Sequence, residues 1–235
     1  MIVLLDADSL VWAACYNHES GTYFEDLEDA VKKYDNSFAR LVNEIGELFE
    51  IEDVRTFSGS RGNFRKYIGN RNVYKANRDN SKIPVHLGTM HSYLRSDYNA
   101  IRGYGVETDD MVARAWNKIQ KDQGRDKVVI ASIDKDYKQL PCLFYNYHYK
   151  HKYLLDITYQ DALYNFYSQM VSGDQADNVN FFFGKGPSFC QKYFYKCQTE
   201  FQYQKKLLKL FQEKYKSKAR EKYIECYSLL KLRTE

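Results

Sequence analysis

Nine acidic side chains fall into four short clusters: Asp6 and Asp8; Glu107, Asp109 and Asp110; Asp134 and Asp136; Asp174 and Asp177. Carboxylates gathered at one point repel one another, and the simplest partner that holds them is a pair of divalent metal ions. An oxygen-only set suits Mg²⁺ or Mn²⁺ rather than Zn²⁺. The five histidines (His18, His86, His91, His148 and His151) show no H-x-x-x-H spacing, and the five cysteines form no C-x-x-C pair. A zinc site and a disulfide framework are therefore not indicated. Nucleophilic serine chemistry lacks its G-x-S-x-G elbow. Two metal ions that activate a water and stabilise a pentacovalent phosphate would hydrolyse phosphodiesters. Each cluster also has an ordinary reading. Asp109 and Asp110 suit any helix N-terminus, Asp174 and Asp177 suit a turn at Gly173, and Asp136 suits a surface.

The charge of the rest of the chain points the same way. The formal net charge is +4, yet 13 lysines and arginines face five glutamates from Lys185 onward. A second basic stretch holds Arg61, Arg65, Lys66, Arg71, Lys75, Arg78 and Lys82 against Asp79. Two basic regions flanking an acidic middle suit a site that grips a polyanion on both sides of its metals; a solvated lysine-rich surface is the plainer alternative for the later region. The apolar start is broken by Asp6 and Asp8 and lacks the basic leader of a signal peptide, and no apolar run is long enough to span a bilayer. The widely spaced, unpaired cysteines point to a reducing, cytoplasmic setting.

The elements that must position these acids alternate in type. Apolar runs at Ile2–Leu5, Val54–Phe57 and Val128–Ile133 read as buried strands, with a broken one at Ile101–Val106 and a hairpin over Leu143–Ile157. Helical periodicity covers Ser9–Tyr16, Asp26–Phe49, Val85–Ala100, Thr108–Gln120 and the basic stretch Pro187–Leu232. Thr158 and Asp161 make a capping signal for a helix that stops at Gly173. The order predicts an α/β fold with a mostly parallel central sheet flanked by helices. In such sheets ligands bind beyond the carboxyl ends of strands, where Asp6 and Asp134 emerge. Gly59–Lys82, basic and weakly periodic, suits a segment lying over that site.

Five segments together resemble the 5′-nuclease (flap endonuclease) family: LLDADSLVWAA at Leu4–Ala14, FRKYIGNRNVYKANR at Phe64–Arg78, GVETDDMVA at Gly105–Ala113, ASIDKDYKQL at Ala131–Leu140 and MVSGDQADNV at Met170–Val179. The resemblance runs from Met1 to about Pro187 and is nearest to phage-type 5′→3′ exonucleases and the 5′→3′ exonuclease domain of bacterial DNA polymerase I. It implies a PIN-like acidic core over residues 1–180, with an arch segment at 59–100, and a basic helical DNA-binding region at 181–235 within one continuous domain. It implies two Mg²⁺ or Mn²⁺ ions. Asp6, Glu107, Asp109 and Asp110 would hold the cleavage metal, and Asp134, Asp136, Asp174 and Asp177 the second. Lys75 and Arg78 would approach the scissile phosphate, with Asp6 and Asp110 counted among the catalytic set. Tyr74 would stack on a base and Arg65 would serve as an arch arginine on DNA.

The chain also departs from the family pattern. Phe57-Ser58-Gly59-Ser60 carries no acid where relatives have Asp after the second strand, and Asp8 is the candidate replacement. Gly184-Lys185-Gly186-Pro187 is a shortened form of the family's duplex-binding G-x-G-x-K turn. Contact with DNA is expected there, and the resemblance leaves a K⁺ ion beside it open. The implied activity is a metal-dependent 5′→3′ exodeoxyribonuclease with flap endonuclease action on DNA 5′ ends, flaps or nicks, extending to RNA in RNA–DNA hybrids, by a protein expected to be monomeric. A PIN-type ribonuclease and a non-catalytic DNA-structure-binding protein are the alternatives.

Overall fold

The structure is a computed structural model that describes residues 1–68, 74–78 and 82–235. Arg71 and Asp79 of the expected basic segment lie outside the described residues. The centre is a five-stranded sheet in the order β4-β1-β5-β6-β7. Strands β1 (Ile2–Asp6), β4 (Asp53–Phe57), β5 (Val128–Ala131) and β6 (Leu143–Asn146) run parallel, and β7 (Tyr153–Asp156) returns antiparallel to β6 as the expected hairpin.

Side chains alternate across this sheet, so each strand feeds two cores. Val3, Leu5, Val129 and Ala131 face α1 (Asp8–Ala14), α2 (Leu27–Gly46) and α3 (Leu87–Asp97). Ile2, Leu4, Val128 and Ile130 face α4 (Thr108–Gln123) and the start of α5 (Tyr159–Ser172). Each fully buried aliphatic side chain contributes roughly 1.5–3 kcal/mol, which is what fixes the register that delivers Asp6 and the turn after β5 to one edge. A small antiparallel pair, β2 (Tyr16–Asn17) and β3 (Thr22–Tyr23), lies between α1 and α2.

A third core joins α5 to α6 (Pro187–Tyr193), α7 (Glu200–Tyr215) and α8 (Ala219–Leu230). The basic stretch read as helical is thus three α-helices among the described residues. Thr199 and Gln202 start α7 with reciprocal caps, and Lys216 leaves it with φ 52°. The Thr158–Asp161 capping box is present at α5, and Pro187 stands in the first turn of α6. Ile101–Val106 is not a full strand: it touches the β4 side through single bridges at Ile101 and Tyr104, and Gly105 (φ 71°) turns the chain out of the ladder.

Candidate active site

The acidic clusters converge beyond the carboxyl edge of β1 and β5. Asp6 ends β1 and is 7% exposed, accepting from the Tyr137 hydroxyl at 2.9 Å. Asp134 caps the short turn Lys135–Gln139 by accepting from the Asp136 amide at 2.9 Å, and Asp136 accepts from the Gln169 amide nitrogen at 2.7 Å. Glu107 is the N-cap of α4, with Asp109 and Asp110 in the first turn. Asp174 and Asp177 follow α5 at a turn that Gly173 makes possible: at φ 78°, an added Cβ would lie 2.3 Å from the Val179 carbonyl oxygen.

The acids divide by what faces them. Lys75 bridges Glu107 and Asp177, Arg78 reaches Asp177 at 3.1 Å, and Lys135 pairs with Asp174 at 2.9 Å. Burial pushes the Glu107 and Asp174 carboxyls up, but Lys75 with Tyr74 and Arg65 for Glu107, and Lys135 with Gln169 and the Ala176 amide for Asp174, together hold them below the ordinary carboxylate value. Among the described residues, no lysine or arginine is ion-paired with Asp6, Asp109, Asp134 or Asp136. Burial, then Asp8 and Asp134, push Asp6 up to about 7. Burial, then Asp134 and Asp174, push Asp136 up to about 8. Asp109 rises for the same reasons, burial first and then Glu107 and Asp110.

Asp8 reaches across to the end of β4. Its carboxylate accepts from the Ser58 hydroxyl at 3.0 Å, the Gly59 amide at 2.8 Å and the Thr108 hydroxyl at 2.7 Å. The first helix thus sets a carboxylate against the end of β4 at Ser58 and Gly59. Ser58 also hydrogen-bonds His91 Nδ1 at 2.8 Å, the direction set by the imidazole tautomer. Gly59, at φ 69°, lets His91 approach: a Cβ there would lie 2.8 Å from the ring.

Three of the expected site residues are buried. Arg65 is not on an exposed arch surface; it is 2% exposed and forms a two-pronged pair with Asp110 at 2.7 and 2.8 Å. Asp110 is fully buried, with both oxygens paired to Arg65 and one also accepting from the Arg233 amide at 2.9 Å. Tyr74 is 8% exposed, packs into the third core, and has its hydroxyl within reach of Glu107 at 2.7 Å and Asp177 at 2.8 Å. Lys75 and Arg78 do line a cleft of about 560 Å³ together with Asp8, Lys66, His91 and Glu107. Lys75 holds an uncommon left-handed backbone (φ 57°), and its backbone N–H donates a hydrogen bond to the Asp177 carbonyl at 2.9 Å. Gly184, Lys185 and Gly186 lie apart, in the turn before α6, where the Lys185 ammonium sits 3.9 Å over the Phe189 ring.

Sequence reasoning passed over Lys135, Tyr137, Gln169, His91 and Ser58 as contributors. Lys135 and Tyr137 lie inside the D-K-D-Y run and were signalled by it; His91 and Gln169 carried no local signal.

Among the described residues, no three histidine, cysteine or acidic side chains form a ready-made metal cage. The donor chemistry nonetheless fits a hard divalent ion. Buried carboxylates that raise one another's pKa, with lysines already standing against their neighbours, are the surroundings that such an ion relieves.

No protein-family model matches the chain, and no curated protein matches it by sequence. Solved structures do match, and they define the class of fold: a PIN-like 5′-nuclease α/β core. A bacteriophage T5 flap endonuclease, in a pseudo-enzyme–product complex with DNA and metal ions, aligns with 97% of this chain and 88% of its own at TM-score 0.64 and 14% identity. The T5 5′-exonuclease aligns at 0.61 and 13%, over 97% of this chain and 86% of its own. The catalytic core of Rad2 with a DNA substrate aligns at 0.53 and 14%, over 96% and 73%.

Proposed function

We propose that the chain is a divalent-metal-dependent 5′-nuclease that hydrolyses DNA phosphodiesters near 5′ ends, including flaps. The observation that carries this reading is the set of acids without a direct ion pair among the described residues, Asp6, Asp109, Asp134 and Asp136, at the strand edge beside a cleft lined by Lys75 and Arg78. The fold shared with structures solved with DNA and metal ions supports it.

Asp6, Asp109 and Asp134 would hold one ion, with Asp8 oriented toward it by Ser58 and Thr108; Asp134 and Asp136 would hold another, with Asp174 and Asp177 alongside. When bound, such ions lower the pKa of the attacking water and neutralise charge on the phosphate. The chain's own part is positioning. The Tyr137 hydroxyl fixes one Asp6 oxygen. Gln169 fixes Asp136. Lys75, held at Glu107 and Asp177, and the half-exposed Arg78 present cations to the incoming phosphate, where a guanidinium can pair with two oxygens. The Gly184–Gly186 turn and the basic α6–α8 region would hold the duplex through its phosphates, so binding should be independent of sequence and sensitive to salt.

A 5′-labelled flap incubated with the chain in Mg²⁺ should yield short 5′ products that EDTA abolishes. Absence of cleavage in Mg²⁺ and Mn²⁺ on flap, nicked and 5′-overhang DNA would remove the reading. Faster cleavage of single-stranded RNA than of flap DNA would replace it with a ribonuclease.

A further inference from the structure

We propose that Arg65 is a positioning residue for the acidic site, not a DNA contact, and that Leu229–Arg233 is a strap that closes this site from behind. The proposal rests on the nuclease reading above, because it names what holds Glu107, and through it Lys75, in place.

A guanidinium has five N–H bonds, and in Arg65 every one has an acceptor. Nε donates to the Leu229 carbonyl at 3.0 Å and Nη2 to the Lys231 carbonyl at 2.9 Å. Nη1 donates to Glu107 at 2.9 Å and Asp110 at 2.7 Å, and Nη2 also donates to Asp110 at 2.8 Å. No donor is left for a phosphate, and withdrawing the side chain would strand the buried Asp110 charge. Asp110 is therefore a brace rather than a metal ligand.

The strap is pinned along its length. Gln139 donates to the Leu230 carbonyl at 3.0 Å and accepts from the Leu232 amide at 2.9 Å. The Arg233 amide donates to Asp110 at 2.9 Å, and Asn117 donates to the Thr234 carbonyl at 2.9 Å. Leu232 is 2% exposed in the core beneath α4, and the Arg233 guanidinium lies 3.5 Å over the Phe64 ring. Three elements thus meet on one buried cation: the start of the basic segment, the first turn of α4 and the strap. Glu107 gives one oxygen to Arg65 and the other to Lys75, so its orientation couples the brace to the cleft.

The test compares Arg65→Ala, a chain truncated after Leu230, and both together. Single-turnover cleavage of a 5′-labelled flap is measured alongside flap affinity by anisotropy across a salt series, with melting checked by circular dichroism. Each single change should slow cleavage by roughly 10–100-fold, the scale for losing a residue that orients a ligand. Affinity and its salt slope should stay at wild-type values. The double change should add little, since both act through one brace, and methylguanidinium should restore part of the Arg65→Ala rate. Weakened binding with a salt slope reduced by about one would make Arg65 a phosphate contact and overturn the proposal. So would additive losses, or wild-type cleavage by the folded variants.

If Arg65→Ala does not fold, Arg65→Met with Asp110→Leu removes both buried charges together, which apolar packing tolerates. That variant should melt as a folded protein yet cleave slowly; a wild-type rate would overturn the proposal. A wild-type chain that cuts no DNA removes the nuclease reading and this role with it, whereas cleavage that survives in every variant removes this role alone.

Discussion

Two halves of one acidic constellation meet the same burial with opposite outcomes. Glu107, Asp110, Asp174 and Asp177 each face a lysine or arginine, and the carboxyls of Glu107 and Asp174 are held below their ordinary values. Asp6, Asp109, Asp134 and Asp136 face mainly hydroxyls, amides and one another, and all four are pushed up. Sharing a neighbourhood therefore does not make all nine acids equivalent. The braced half is paired by the chain's own cations, and the unbraced half is where an external cation would sit under the proposed function.

The sharpest break of this contrast is Asp134→Ala, which removes the acid shared by both proposed ion positions. Cleavage should fall by roughly 10²–10³-fold or more in Mg²⁺, with DNA binding retained. Full activity in a metal-replete assay would end the assignment. On the braced side, Asp110→Ala leaves Arg65 buried without its main partner and should cost about 3–5 kcal/mol of stability, read as an early urea midpoint. A variant as stable as wild type would show that the brace holds nothing.

Proton linkage separates the halves without mutation. In the metal-free chain, Asp6 and Asp136 keep protons up to about 7 and about 8, whereas the unfolded chain releases them near 3.8. The folded state binds more protons in that window, so this contribution to stability is full at low pH and is lost as pH rises through 7 and 8. Glu107 and Asp174 act oppositely: their contribution is present above the ordinary carboxylate value and is lost as pH falls below it. Melting of the EDTA-treated chain should peak between the two limbs, and Mg²⁺ should lift the alkaline limb most. A Mg²⁺ effect equal at pH 5.5 and 8.5 would contradict the split.

The smallest effects belong to the rims of the two halves. Tyr74→Phe removes a hydroxyl lying between Glu107 and Asp177 and should cost on the order of 1 kcal/mol of stability. Arg78→Ala, in a half-exposed pair, should reduce the salt slope of DNA binding by about one with little change in melting.

What could be read from the chain alone followed locality. β1 and β5 are apolar runs that end in acids, and the α5 cap and stop lie within the same helix, so short-range pattern was enough. The identity of the braced acids was hidden because their partners come from afar: Arg65 meets Glu107 across 42 residues and the Lys231 carbonyl across 166. Tyr74 reads as exposed in a basic segment, yet the α5–α8 core, built much later in the chain, covers it. At Ile101–Val106, the left-handed turn at Gly105 outweighed an apolar pattern that had suggested a strand.

The reach of Arg65 also sets a timetable. Residues 64–67 and the first turn of α4 leave the ribosome long before residues 229–231, but the buried cation between them has its full set of acceptors only once those last carbonyls exist. A newly made chain that has completed its sheet still lacks the brace behind Glu107. A contact so distant in sequence can form only after residues 229–231 have been made, which sets the brace behind Glu107 among the later steps of folding.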